Sequence, residues 1–147
     1  MTPAKRSDIE AIFDIERMSF QNPWRRESFL TELSCAQAHH GVVKELGAGN
    51  KLDLLAYIFT RALVDELYIL KIAVAAEHRQ CGIASWLLEA FLSQPSTHAF
   101  STALLDVRPS NVAAIRLYEQ NGFATVGIRP NYYTDTGENA LVMRKLL

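Results

Sequence analysis

Apolar and polar positions along this chain follow two rhythms, one near 3.6 residues and one near 2, and their order predicts the fold. In "SDIEAIFDIERMSF", Ile9, Ile12, Phe13 and Glu16 share one helical face that is apolar apart from its glutamate. Ser7 and Glu10 have the spacing of a capping box at its start. "NPWRRESFLTEL" predicts a second helix, with Asn22 as N-cap, Pro23 at the first helical position and Phe29, Leu30 and Leu33 as the buried stripe. "HGVVKEL" and "LDLLAYIFTR" then predict two strands joined by the glycine-rich turn "GAGN". "DELYILKIAV" is a third strand, too continuously apolar to have a solvent face. From Gly82 to about Leu92 the apolar residues fall at 84, 87, 88, 91 and 92, one buried helical face. "FSTALLDV" predicts a fourth strand. "PSNVAAIRLYEQNGF" predicts a helix opened by Ser110 or Asn111 and stopped by Asn121 and Gly122. "ATVGIR" and "NALVMRKL" close the chain as two strands around a polar loop, "PNYYTDTGE". The predicted order, α-α-β-β-β-α-β-α-β-β, is one α/β domain over 1–147 with a sheet of mixed strand direction.

Composition narrows the class. A chain of 147 residues with 49% hydrophobic positions can bury a core without disulfides or metal. A net charge of −1 gives no basic excess, which argues against a nucleic-acid partner. Cys35 and Cys81 are far apart and belong to no CxxC or Cys/His spacing, so neither a disulfide framework nor a metal site is expected. His39 and His40 are adjacent on a strand and face opposite sides, so no joint metal site is expected of them. "MTPAKRSDIE" has no apolar segment behind its charge, and no run nears the roughly 20 apolar residues of a membrane span. The expectation is a soluble, reduced, cytoplasmic protein with no membrane partner.

One turn carries chemistry. "RQCGIA", Arg79 to Ala84, follows the most apolar strand and opens a helix. The first amides of a helix have no internal acceptor and carry the positive end of its dipole, so they suit a pyrophosphate. Gly82 lets the backbone approach phosphate oxygens without a Cβ between. Arg79 can add a charge-assisted bond. The chain has neither GxxxxGK[ST] nor GxGxxG, so this is not a P-loop or a Rossmann fingerprint. A plain strand-to-helix turn with a solvent-facing arginine is the alternative reading of this hexapeptide.

"IAVAAEHRQCGIASWLLE" followed by "LLDVRPSNVAAIRLYEQNGF" resembles the two signature segments of the GNAT superfamily of N-acetyltransferases. Arg79, Gly82 and Ala84 match the turn, and Asn111, Tyr118, Gly122 and Phe123 match the second segment. With "FQNPW" and "IRPNYYTDTGENALVMRKL", the chain is most similar to the RimI-type enzymes, which acetylate the N-terminal alanine of a small-subunit ribosomal protein. The resemblance spans nearly the whole chain and is strongest from Asp65 onward. It implies a GNAT-like mixed central sheet of about six or seven strands flanked by about four helices. It also implies acetyl-CoA as cosubstrate, bound between the third and fourth predicted strands. The backbone of Ile72, Ala73 and Val74 would pair with the pantetheine arm. The amides of Arg79, Gln80, Cys81, Gly82, Ile83 and Ala84 would hold the pyrophosphate, and Asn111 would contact the cofactor.

By the same resemblance, Tyr118 is the general acid that donates to the cofactor sulfur; its other reading is a core aromatic. Asp106 stands where RimI-type enzymes usually carry Glu. It is the candidate base, directly or through water, or else a strand-end carboxylate, with Glu66 in reserve. The Val74 N–H is the candidate donor to the reacting carbonyl oxygen. Trp24, Tyr132 and Tyr133 would contact a peptide, with simple helix packing the other reading for Trp24. The function expected is acetyl transfer to a protein N-terminus. A small-molecule amine acetyltransferase and a non-catalytic acyl-CoA-binding module are the alternatives.

Overall fold

The computed structural model describes residues 1–50 and 52–147. Its elements in chain order are β1 (Thr2–Pro3), α1 (Ile9–Ser19), α2 (Arg26–Leu33), β2 (Ala38–Leu46), β3 (Leu52–Leu63), β4 (Glu66–Val74), α3 (Ile83–Leu92), β5 (Thr102–Val107), α4 (Val112–Gln120), β6 (Ala124–Tyr133) and β7 (Glu138–Leu146). One sheet runs β1-β2-β3-β4-β5-β7-β6, in which β4 and β5 are parallel and the other neighbours antiparallel. The expected order is found, with the two-residue β1 added ahead of it.

The continuous apolar character of β4 has the predicted cause: both faces of the sheet are covered. Ala56, Ile58, Leu67, Ile69, Val74, Leu105 and Val107 pack against α3 and α4 on one side. Tyr57, Phe59, Ala73 and Val42 pack against Ile9, Ile12, Ile15 and Phe29 of α1 and α2 on the other. Alternation along β3 sends Ala56 and Ile58 to the first cluster and Tyr57 and Phe59 to the second. No helix among the described residues is long and apolar enough to cross a membrane.

Two helix starts differ from expectation. Ser7 and Glu10 do not form the capping box. A short 3₁₀ turn, Arg6–Asp8, precedes α1, and Asp8 takes the Lys5 N–H at 2.9 Å and the Lys44 ammonium at 2.6 Å. The buried carboxylate thus ties the helix start to β2, and Glu10 is released to a bidentate pair with Arg26 at 2.8–3.0 Å. Asn22 and Pro23 do not cap α2 either. The helix begins at Arg26, and the Asn22 amide donates to Asp135 instead, 113 residues away. Long-range partners outcompete the local caps in both cases. The expected polar loop "PNYYTDTGE" is also shorter than predicted: β6 continues through Tyr133, and the reversal lies between Tyr133 and Glu138.

Candidate active site

The sheet opens where β4 and β5 part. Their pairing runs from Glu66–Thr102 to Ile69–Leu105 and ends there, although β4 continues to Val74 and β5 to Val107. The cause is adjacent: Phe59 opposes Lys71 and Thr60 opposes Ile69, so Leu70 is an extra residue in β4. Such a bulge bends and twists its strand, here away from β5.

Beyond the bulge, register decides which amides face the gap. Ala75 N–H donates to Leu55 C=O at 2.8 Å, and the register places Tyr57 opposite Ala73. Antiparallel pairs alternate between bonded and non-bonded. Ala73 therefore spends its backbone on β3, while Ile72 and Val74 turn theirs toward the gap. Of the three residues expected to line a pantetheine arm, Ala73 is corrected on this ground.

At the end of β4 the chain enters the predicted turn. Gln80 (φ 61°) and Gly82 (φ 78°) both adopt left-handed backbone. A Cβ on Gly82 would meet nothing within 4 Å, so the space outside the turn is open. The Arg79 N–H bonds Ala76, and the Trp86 N–H is the first in α3 to reach a helical acceptor, Gly82 C=O. Among the described residues, the amides from Gln80 through Cys81, Ile83 and Ala84 to Ser85 have no backbone partner. Consecutive free amides at a helix N-terminus suit a diphosphate.

The Arg79 side chain has a different role from the one expected. Its guanidinium donates to Val74 C=O (3.1 Å), Ser19 Oγ (2.8 Å) and Met18 C=O (3.4 Å), joining the end of β4 to the end of α1. The turn offers its backbone; the arginine braces it. Cys81 is exposed, with its thiol on the Arg79 carbonyl at 3.4 Å.

Tyr118 lies on the α3–α4 side, 7% exposed, its ring against Phe123 at 5.8 Å between centroids. It is a core aromatic, as the second expected reading has it, and among the described residues its hydroxyl has no hydrogen-bond partner. Among the described residues, the fully enclosed unpaired side-chain atoms are His40 Nε2 and Thr102 Oγ1. The Tyr118 hydroxyl is therefore not fully enclosed. Burial, and then the nearby Tyr133, raise its pKa, so the phenol is protonated at neutral pH. Asn111 caps α4 by accepting the Ala114 N–H at 3.2 Å, a bond that uses only its side-chain oxygen.

Asp106 lies past the last β4–β5 pair. It alternates with Leu105 and Val107, which face α3 and α4, so its carboxylate faces the opposite side of the gap. It accepts from Arg129 Nε at 3.1 Å, and the other arm of Arg129 donates to the Tyr68 hydroxyl at 2.7 Å. Burial and then the Asp106 charge push the Tyr133 hydroxyl up to about 12. Tyr132 and Tyr133 meet edge to face at 5.1 Å, on a strand end rather than a loop. Trp24 packs on Phe29 at 5.3 Å, which is the helix-packing reading, and its backbone N–H is held by Glu16.

Glu66 is displaced from the site. It pairs with Thr102 at the closed end of the β4–β5 ladder, eight residues from Val74. At about 3.3 Å per residue that is ~26 Å, too far for a reserve base. Sequence reasoning missed Arg129, Tyr68 and Arg108, because their value lies in partners distant in the chain. Lys71 and Glu16 did carry a signal: Lys71 is the charge inside an otherwise apolar strand, and Glu16 the charge on an otherwise apolar helical face.

A seven-stranded mixed sheet split between two parallel strands, with free amides at the mouth of the split, defines an acyl-CoA-binding type of fold. The family model described as "Acetyltransferase (GNAT) family" matches residues 9–123, and the chain belongs to that family. It is an acetyl-CoA-dependent acetyltransferase. The chain is 32% identical over 139 residues to the [ribosomal protein bS18]-alanine N-acetyltransferase of Escherichia coli K12, covering 93% of this chain and 90% of that protein. The Salmonella typhimurium protein of the same name is 33% identical over 139 residues, with the same coverage. The crystal structure of the ribosomal-protein-S18-alanine N-acetyltransferase from Escherichia coli superposes with a TM-score of 0.86 at 29% identity, over 99% of this chain and 91% of that one. Ard1 from Thermoplasma volcanium gives 0.84 at 27% identity, over 99% and 95%.

Proposed function

We propose that the enzyme acetylates the α-amino group at a protein N-terminus, that its substrate is the N-terminal alanine of ribosomal protein bS18, and that it works in the cytoplasm. The observation that carries this reading is the division of labour across the gap. A protonated phenol, Tyr118, lies on the α3–α4 side, and a carboxylate, Asp106, lies on the other. The names of relatives matched over 93% of the chain supply the substrate.

Acetyl-CoA enters from the α3–α4 side. The amides of Gln80 to Ala84 hold its diphosphate, the Ile72 backbone pairs with its amide-bearing arm, and Asn111 adds a side-chain contact. The thioester lies in the split. The peptide approaches from the other side, between the α1–α2 segment with Trp24 and the β6 end with Tyr132 and Tyr133. Its ammonium, with a reference pKa of about 7.7–8.0, needs only a modest base. Asp106 accepts that proton, through a bridging water where the short side chain leaves a space. The amine nitrogen attacks the acetyl carbon, and the Val74 N–H donates to the oxygen as charge gathers on it. As the carbon–sulfur bond breaks, Tyr118 gives its proton to the departing sulfur, and the proton that the nitrogen sheds in becoming an amide restores the phenol through solvent.

The test is incubation with acetyl-CoA and hexapeptides beginning with Ala, Ser, Met or blocked Ala, read by mass. A gain of one acetyl group on free alanine and none on blocked alanine is expected. Acetylation of internal lysines with free N-termini untouched would overturn the reading. Asp106→Asn should lower kcat by roughly 10²-fold or more; undiminished turnover would remove Asp106 from the role.

A further inference from the structure

Arg108 lies in the loop after β5, two residues beyond Asp106 and three before Asn111. Both terminal nitrogens of its guanidinium are engaged. One nitrogen donates to both Asp135 oxygens at 2.8 and 2.9 Å. Another donates to Thr136 Oγ1 at 2.7 Å and reaches Glu138 Oε1 at 3.4 Å. Its plane lies over the Tyr133 ring, 3.8 Å from the centroid. Each acceptor then reaches further. Asp135 also takes the side-chain amide of Asn22, from the segment between α1 and α2. Glu138 takes the Ser110 N–H at 3.2 Å, back in the loop that carries Asn111. One side chain thereby joins the loop after β5, the β6–β7 reversal and, through Asp135, the segment between α1 and α2.

We propose that Arg108 is a positioning residue: it holds the β6–β7 reversal and, through Asp135, the α1–α2 segment as preformed walls of the peptide groove, and so sets the affinity for the peptide. This rests on the proposed function, which makes those two segments the peptide side of the enzyme.

The energetics favour that role over a simple contribution to stability. Isolated surface ion pairs contribute little. A forked, multiply bonded guanidinium over an aromatic ring is different, because its planar set of donors matches several acceptors at once. Lysine keeps the charge and loses the fork. Asp135 is held below the usual carboxylate range chiefly by its Arg108 bond, and Glu138 chiefly by its bond to Ser110, so both are charged throughout the neutral range. Walls ordered before the peptide arrives spare the binding step the entropy of ordering them.

The experiment uses the full chain with Arg108→Lys and Asp135→Asn. Three quantities are read: hydrogen exchange at residues 20–24 and 131–138, coenzyme A affinity by calorimetry, and kcat and KM for a synthetic peptide with a free N-terminal alanine. In both variants, exchange at the two segments should rise about tenfold, and peptide KM should rise about tenfold with kcat and coenzyme A affinity within about threefold. Unchanged exchange at 20–24 overturns the tether. Loss of coenzyme A affinity in step with the peptide, or a fall in melting temperature with faster exchange throughout, makes Arg108 a general structural element and also overturns it. If the unmodified enzyme acetylates no N-terminal peptide, the proposed substrate fails, and the exchange pattern still decides the tether.

Discussion

Lys71 of β4 donates its ammonium to Glu16 of α1 at 2.8 Å, and Glu16 is wholly buried. The same carboxylate accepts the Tyr57 hydroxyl and the Trp24 N–H at 2.8 Å. The ammonium also lies over the Phe20 ring, 3.8 Å from its centroid. Burial lowers the pKa of Lys71, and the bond and charge of Glu16 act against that. Two charges that look misplaced in apolar stretches thus satisfy each other and hold the backbone that enters α2. Removing one leaves the other buried without its counter-charge, which costs about 3–5 kcal/mol. Lys71→Met should lower the unfolding free energy by about that amount in denaturant titration. A loss under about 1 kcal/mol would show that Glu16 is solvated or protonated without cost.

Tyr118→Phe keeps the ring that packs on Phe123 and removes only the hydroxyl. It should lower kcat by roughly 10²–10⁴ and leave the melting temperature and coenzyme A affinity nearly unchanged. Steady-state kinetics with calorimetry checks this. Normal turnover would assign Tyr118 to packing alone.

Gly82→Ala separates strain from ligand contact. The left-handed backbone costs alanine about 1–2 kcal/mol, and the new methyl meets no protein atom within 4 Å. A small loss of stability with a distinctly larger loss of coenzyme A affinity is expected, because the methyl stands where a diphosphate would approach. Equal losses in the two measurements would argue that no ligand comes near the turn.

His40 predicts an acid limb. Its ring stacks on Phe59 at 4.0 Å, and its Nδ1 accepts the Thr60 N–H at 3.2 Å. Burial lowers its pKa from the ordinary 6.5. A proton therefore binds the unfolded chain more readily than the folded one. Stability from this residue is complete above about pH 6.5 and declines as pH falls from there toward the lowered folded value. Melting temperature against pH should show that decline in the wild type and a flatter limb in His40→Asn.

Much of the fold was legible because period and burial agree locally. The continuous apolar run of β4 announced a strand covered on both faces, and the face through Leu87, Leu88 and Phe91 announced α3. The turn from Arg79 to Ala84 was legible because a glycine after an apolar strand and before a helical stripe permits the left-handed backbone that a tight turn needs there. The cap at Ser7 misled because Asp8 holds that helix start instead, bonded to the Lys5 N–H and the Lys44 ammonium, and the cap at Asn22 misled because its partner, Asp135, lay far along the chain.

By itself the sequence determined the order of helices and strands, the two-sided burial of the sheet and the motif residues that open the cleft, because each depends on neighbours a few positions away. Tertiary structure alone decided the rest. The bulge at Leu70 that parts β4 from β5, the use of Ala73 on β3, the brace made by Arg79 and the exclusion of Glu66 all follow from cross-strand register. The pairing of Asp106 with Arg129, of Lys71 with Glu16 and of Arg108 with Asp135 joins residues separated by 23, 55 and 27 positions. Periodicity along a chain carries no record of which strands lie side by side, and these contacts exist only once they do.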